Sequence, residues 1–178
     1  MHPWHDIDIV VEDIQEGFPA FIEIPKGSKV KYEVDRRTGV LRVDRILHSA
    51  VFYPENYGFV PRTLGADQEP LDVLVLSQES LVPACLVRAR AIGILDMSDE
   101  KGRDDKIVAI HLDDPEYAEY QDIAELPPHR LKELQRFFMD YKTLENKRVE
   151  IERFGPRGEA ETVIREAVRS YAARFPSR

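Results

Sequence analysis

The chain has 178 residues, 43% hydrophobic and 33% charged, with 33 acidic against 25 basic side chains and a formal net charge of −8. That length and balance fit one globular domain with a proper core and exclude a disordered chain. The acidic excess argues against nucleic acid as the main partner, and no stretch approaches the ~20 apolar residues of a membrane span.

From cysteine usage and the N-terminal residues a cytoplasmic location is expected. Cys85 is the single cysteine, which excludes an intrachain disulfide and points to a reducing compartment. It lies in an apolar run, Leu81-Val82-Pro83-Ala84-Cys85-Leu86-Val87, where a buried small hydrophobe is expected rather than a nucleophile. The N-terminus has no basic region followed by an apolar one, so no secretory leader is expected. His2 and His5 bracket Trp4; that spacing could bind a metal, but packing of the terminus against the core is the expectation.

Strand-like runs follow at residues 20–24, 29–35 and 40–45. In the second, strict alternation puts Lys29, Lys31, Glu33 and Asp35 on one face and Val30, Tyr32 and Val34 on the other, towards a core. Alone, the charged face reads as solvated. A turn at Arg37-Thr38-Gly39 makes the second and third runs a hairpin. Next comes an aromatic loop broken by proline and glycine, Phe52-Tyr53-Pro54-Glu55-Asn56-Tyr57-Gly58-Phe59. Most of its rings are expected in the core, although tyrosines near lysines and arginines also suit hydrogen bonding to phosphate oxygens.

The stretch Asp67-Gln68-Glu69-Pro70-Leu71-Asp72 crowds three carboxylates and runs into an apolar strand at 72–76. Acids beside a core strand repel one another and are costly to desolvate unless a cation neutralises them. Two readings stay open. One is a solvated turn, which Pro70 suits; the other is a hard-metal site, because Mg²⁺ takes oxygen ligands from one or two carboxylates plus substrate phosphates.

A second acidic loop, 96–106, lies between strand-like runs at 86–95 and 107–112. A calcium hand starting at Asp96 would need glycine sixth and a bidentate acid twelfth, and the chain has Lys101 and Ile107 there. That reading fails, and two acidic loops hung from strands are better explained by a shared cation cluster. A helix is expected over 128–144, with proline at its start and Leu131, Leu134, Phe137, Phe138, Tyr141 and Leu144 at helical spacing. A short strand at 148–154, a turn at Gly155-Pro156-Arg157-Gly158 and a helix at 160–175 complete the chain. The last helix carries the stripe Val163, Ile164, Ala167, Val168 and Tyr171. His48, His111 and His129 have no partner spacing that suggests catalysis. With no repeat or linker, residues 1–178 read as one α+β domain of five or more antiparallel strands and two main helices.

In order and spacing, seven segments resemble the soluble, magnesium-dependent inorganic pyrophosphatases of family I, the single-domain OB-barrel type. They are Ile22-Glu23-Ile24-Pro25, Lys31-Tyr32-Glu33, Val43-Asp44-Arg45, the aromatic loop, Asp67 through Val73, Asp99 through Lys106, and Tyr141-Lys142. Together they span nearly the whole chain and are far more specific than any one alone. His2-Pro3-Trp4-His5-Asp6 and Leu126-Pro127-Pro128-His129-Arg130-Leu131 resemble the plant-type branch, which also has bacterial members.

The resemblance implies an OB-like five-stranded antiparallel barrel with flanking strands. It implies hydrolysis of inorganic pyrophosphate to two phosphates by direct attack of a metal-activated water, with several Mg²⁺ ions per site. Asp67, Asp72 and Asp104 are implied as ligands of the first metal, with Asp72 shared with a second; Asp99 and Asp104 would bind a further ion arriving with substrate. Lys31, Arg45, Tyr57, Lys106, Tyr141 and Lys142 would clamp phosphate oxygens, while Glu23, Glu33 and Tyr53 act in the outer shell. A homo-oligomer is implied, hexameric if the chain is bacterial-like.

One departure stands out. The family signature is Asp-x-Asp-Pro-x-Asp, and Glu69 occupies the place of the middle Asp, the implied general base. A carboxylate is kept, but the extra methylene moves it by roughly 1.5 Å, against a catalytic tolerance of about 0.5 Å. A catalytically impaired phosphate- or pyrophosphate-binding homologue is therefore the alternative function.

Overall fold

The computed structural model describes residues 1–100 and 102–176; Lys101, from the failed calcium-hand register, lies outside the described residues. In chain order the strands are β1 (Phe18–Ile24), β2 (Val30–Val34), β3 (Leu41–Ile46), β4 (Asn56–Phe59), β5 (Asp72–Leu76), β6 (Cys85–Asp99), β7 (Gly102–Arg103), β8 (Lys106–His111) and β9 (Val149–Pro156). The two helices are α1 (Pro128–Asp140) and α2 (Arg157–Arg174).

Five strands close into a ring in the order β1, β4, β5, β8, β6 and back to β1. This is the expected OB-like barrel, with one seam, β5 to β8, parallel rather than antiparallel. Closure leaves the ring with no free edge. The fifteen-residue β6 also pairs β7 and β9 beyond the ring. Along one edge it changes partner from β1, up to Ala89, to β9, from Gly93, while its register with β8 slips between Ala91 and Gly93. Glycine is needed there, because a Cβ on Gly93 would run into the Gly155 carbonyl and the Ile123 side chain.

Both faces of the central strands are buried, which is why 73–76 reads as an unbroken apolar run. Val73, Val75, Ile107 and Ala109 belong to one core cluster with Ala160, Ile164 and Ala167 of α2. Leu74, Leu76, Val108 and Ile110 belong to another with Leu134, Phe137 and Phe138 of α1. The N-terminus packs as expected: Trp4 is buried beside Phe21, Phe59 and Tyr171, and its Nε1 donates to the Thr63 carbonyl at 2.8 Å. His5 Nδ1 lies 2.6 Å from the Tyr171 hydroxyl. Cys85 is half-buried against the α2-side core, and burial raises its thiol pKa.

Several expectations are corrected. The aromatic loop contains strand β4, whose Gly58 is obligatory because a Cβ would strike the backbone of Phe21 and Ile22. The second acidic loop is mostly strand: β6 continues through Asp99 and pairs Gly102 and Arg103. The expected turn at 155–158 is instead the end of β9 and the start of α2. Helix α1 stops at Asp140, and Leu144 is 64% exposed rather than in the core. The hairpin β2–β3 forms a separate two-stranded sheet. Its first strand is half-buried on both faces, with Tyr32 against the α1-side core and Val34 against the Trp4 cluster.

Candidate functional site

A cleft of about 680 Å³ lies between the hairpin and the barrel. Its lining includes Glu23, Lys31, Glu33, Arg45, Tyr57, Asp67, Glu69, Asp72, Asp99, Asp104, Lys106, Tyr141 and Lys142. Those are all the expected site residues except Tyr53. That ring is 2% exposed and packs beneath the lining, 5.4 Å from Tyr57 and 4.8 Å from Phe137.

The fold delivers these groups from strand ends. Asp72 opens β5 and Lys106 opens β8, which run parallel and so present both residues at one end of the barrel. Asp99 closes the antiparallel β6 at that end, and Asp104 lies between β7 and β8. The preceding acidic loop is a built turn. Gly65 N–H donates to the Glu69 carbonyl at 2.7 Å, Glu69 N–H donates to Asp67 Oδ1 at 3.0 Å, and Gln68 takes a left-handed φ of 68°. Tyr141 caps α1, and Lys142 follows it.

Two bulges aim side chains that regular alternation would send elsewhere. In β1 the register with β4 slips between Ile22 and Ile24, at Glu23. Its Oε1 accepts from the Val34 N–H at 2.6 Å, tying the hairpin to the barrel. In the hairpin, Lys31 pairs with Arg45 and Tyr32 with Val43, leaving Asp44 as the extra residue. Asp44 thereby meets Lys31 at 3.2 Å and Arg45 at 2.5 Å.

The electrostatics show a surplus of buried negative charge. Lys106 is 2% exposed and donates to both Asp72 and Asp104. Burial would lower its pKa, but the charges of Asp72 and Asp104 outweigh that and raise it. Even so, burial and the neighbouring Asp72 charge push Asp104 up to about 6. Burial, then Asp72, likewise raises Asp67. Burial pushes Glu23 up to about 8. Lys142 pairs with Asp99 at 2.8 Å, and burial holds the Tyr57 and Tyr141 hydroxyls above their ordinary values.

Among the described residues no three His, Cys, Asp or Glu side chains form a ready-made metal cage. The donor set nevertheless fits a hard cation: it is all oxygen, and Asp67 and Asp104 remain destabilised as anions with Lys106 beside them. An ion that completes its shell with water and phosphate needs only one or two carboxylates.

The sequence reading missed Asp44 and Arg36 as lining residues of this site, and Glu145 as a neighbour of Arg45 outside the lining. Arg45 Nε lies 2.8 Å from Glu145, Arg42 pairs with Glu33, and Arg36 of the hairpin turn pairs with Glu69. No local signal marks these charges; only the bulge and the closure of the hairpin bring them together.

The family model described as inorganic pyrophosphatase matches residues 20–172. A soluble inorganic pyrophosphatase of Solanum tuberosum is 55% identical over 171 residues, covering 96% of this chain and 81% of the relative. One from Chlamydomonas reinhardtii is 51% identical, covering 99% and 92%. Among solved structures, the Helicobacter pylori inorganic pyrophosphatase superposes with a TM-score of 0.89 at 41% identity, covering 93% of this chain and 98% of that one. The Thermus thermophilus enzyme gives 0.90 at 37% identity, covering 95% and 98%.

Proposed function

The chain belongs to the inorganic pyrophosphatase family, and we propose from that premise how the cleft works. It is an inorganic diphosphatase that hydrolyses pyrophosphate to two phosphates, and it depends on metal. The observation that carries the residue assignment is the convergence of Asp67, Asp72 and Asp104 with Lys31, Arg45, Lys106 and Lys142 in one cleft. Carboxylates for cations and cations for phosphate are both needed, because pyrophosphate repels any incoming nucleophile until its charge is neutralised.

Mg²⁺ is the assigned metal: held by Asp67, Asp72, Asp99 and Asp104, it would neutralise substrate charge and lower the pKa of a bound water. Lys31, Arg45, Tyr57, Lys106, Tyr141 and Lys142 bind phosphate oxygens and stabilise charge on the leaving phosphate. Glu69 takes the proton from the attacking water at its carboxylate, and no covalent intermediate forms. Glu23 and Glu33 act from the outer shell. Glu23 also holds β2 over the cleft through Val34; Tyr53 supports Tyr57 from below.

Residues 1–178 act as one domain in the cytoplasm. The lone cysteine supports that location, and no described helix is long and apolar enough to cross a membrane. Exposed Phe52, Val82, Leu86 and Leu144 support a homo-oligomer, a hexamer if its assembly is bacterial-like. The test is phosphate release from pyrophosphate by purified protein. Activity should vanish on chelation and return with Mg²⁺; binding of pyrophosphate without turnover would overturn the reading.

A further inference from the structure

Glu145 has no role in the assignment above, yet its side chain is only 8% exposed. It ends a 3₁₀ turn, Thr143–Glu145, that starts directly after Lys142. Its N–H donates to the Lys142 carbonyl at 3.0 Å, and Asn146, at φ 57°, stops the turn. The carboxylate is thus fixed to the same short segment as one of the phosphate-binding lysines.

Glu145 Oε1 lies 2.8 Å from Arg45 Nε, but the contact is a charge contact without hydrogen-bond alignment. Arg45 Nε and Glu145 Oε2 are both buried without a hydrogen-bond partner among the described residues. A buried carboxylate left partly unsatisfied is costly, and a buried ion pair is weak support for stability. The arrangement makes better sense as placement. Arg45 sits on the detached hairpin, and Asp44 of the same bulge draws its Nη1 from one side. Glu145 draws Nε from the helix side. Held between two acids, the guanidinium keeps Nη2, which has no hydrogen-bond partner among the described residues, available for a phosphate oxygen.

We propose that Glu145 is a positioning residue that holds Arg45 for the substrate phosphate and registers the hairpin against Lys142. This rests on the pyrophosphatase reading and deepens it. Without Glu145 the long arginine side chain collapses onto Asp44, and phosphate binding weakens.

Glu145→Gln keeps the size and removes the charge. It should raise KM for pyrophosphate by about five- to tenfold with kcat within about twofold, and leave Tm unchanged or higher. In an Arg45→Ala background the same substitution should change KM by less than about twofold. Affinity for inorganic phosphate, measured by calorimetry on the same four proteins, should follow the same pattern and needs no turnover. A KM and phosphate affinity unchanged in Glu145→Gln would overturn the proposal. So would an equal loss with and without Arg45, or a fall in kcat that tracks a fall in Tm. A wild-type protein that binds phosphate but hydrolyses nothing would overturn the functional reading instead, while the calorimetric comparison still decides the role of Glu145.

Discussion

Lys106 donates from its buried ammonium to the carboxylate of Asp72, thirty-four positions earlier in the chain, across the single parallel seam of the barrel. The lysine is therefore part of the fold's charge balance as well as of the cleft. Its loss of a partner should be felt in stability.

Asp67→Asn and Asp72→Asn should both lower turnover by about a hundredfold or more, and they should differ in stability. Asp67 is an anion disfavoured by burial and by Asp72, so neutralising it should leave the metal-free protein as stable or more so. Asp72→Asn removes one of two partners from a buried ammonium and should destabilise by about 2 kcal/mol, below the ~3–5 for stranding a buried charge entirely, because Asp104 remains. Urea midpoints of the metal-free variants check this. Equal midpoints would mean that Lys106 does not depend on Asp72.

Glu23 should make the metal-free protein lose stability as pH rises. Its folded pKa, pushed up to about 8 by burial, lies above the ordinary 4.5, so the folded state keeps a proton that the unfolded chain has released. Stability from this group is fully present below 4.5 and is lost as pH climbs to about 8. Asp104 acts in the same direction between 3.8 and about 6. Between pH 6.5 and 8 the slope of Tm against pH should therefore be mainly that of Glu23. Glu23→Gln still accepts from Val34 and should flatten it; an unchanged slope would remove Glu23 as its source.

Glu69 faces a sharper test. If it accepts the proton, Glu69→Gln should cost about a hundredfold in kcat, within the range for a general base. Glu69→Asp should stay within about tenfold of the parent or exceed it, since it restores the usual side-chain length. The exposed pair with Arg36 contributes little stability, so neither change should move Tm much. Near-parental rates for Glu69→Gln across the pH profile would show that a water of lowered pKa needs no protein base.

What the sequence showed plainly was whatever is local. The strand at Asp72–Leu76 is legible to the residue, because four apolar positions, Val73 to Leu76, follow a proline-marked acidic turn that ends at Asp72. The acids of the cleft, and the cations Lys31, Arg45, Lys106 and Lys142 that line it, are legible through seven ordered segments. Strand β4 was not: Pro54 and Gly58 signal a turn, while Gly58 is there to let β4 approach Phe21. Gly155 and Pro156 misled in the same way at the end of β9. Asp44 reads as one more alternating charge until a bulge turns it beside Lys31. Glu145 reaches Arg45, and Arg36 reaches Glu69, only through contacts more than thirty positions apart in the chain.

Phosphate release from pyrophosphate and from ATP, followed side by side with Mg²⁺ and after chelation, tests the central claim most directly. The cleft is lined mostly by charged side chains; of its tryptophan, tyrosine and phenylalanine rings, Trp4, Tyr57, Phe59 and Tyr141 are buried and Tyr32 is half-buried, which leaves a base little ring surface to stack on. The account predicts rapid release of two phosphates per pyrophosphate, loss of that release on chelation, and ATP hydrolysis near background. Comparable release from ATP, or release from pyrophosphate that survives removal of all divalent metal, would contradict it.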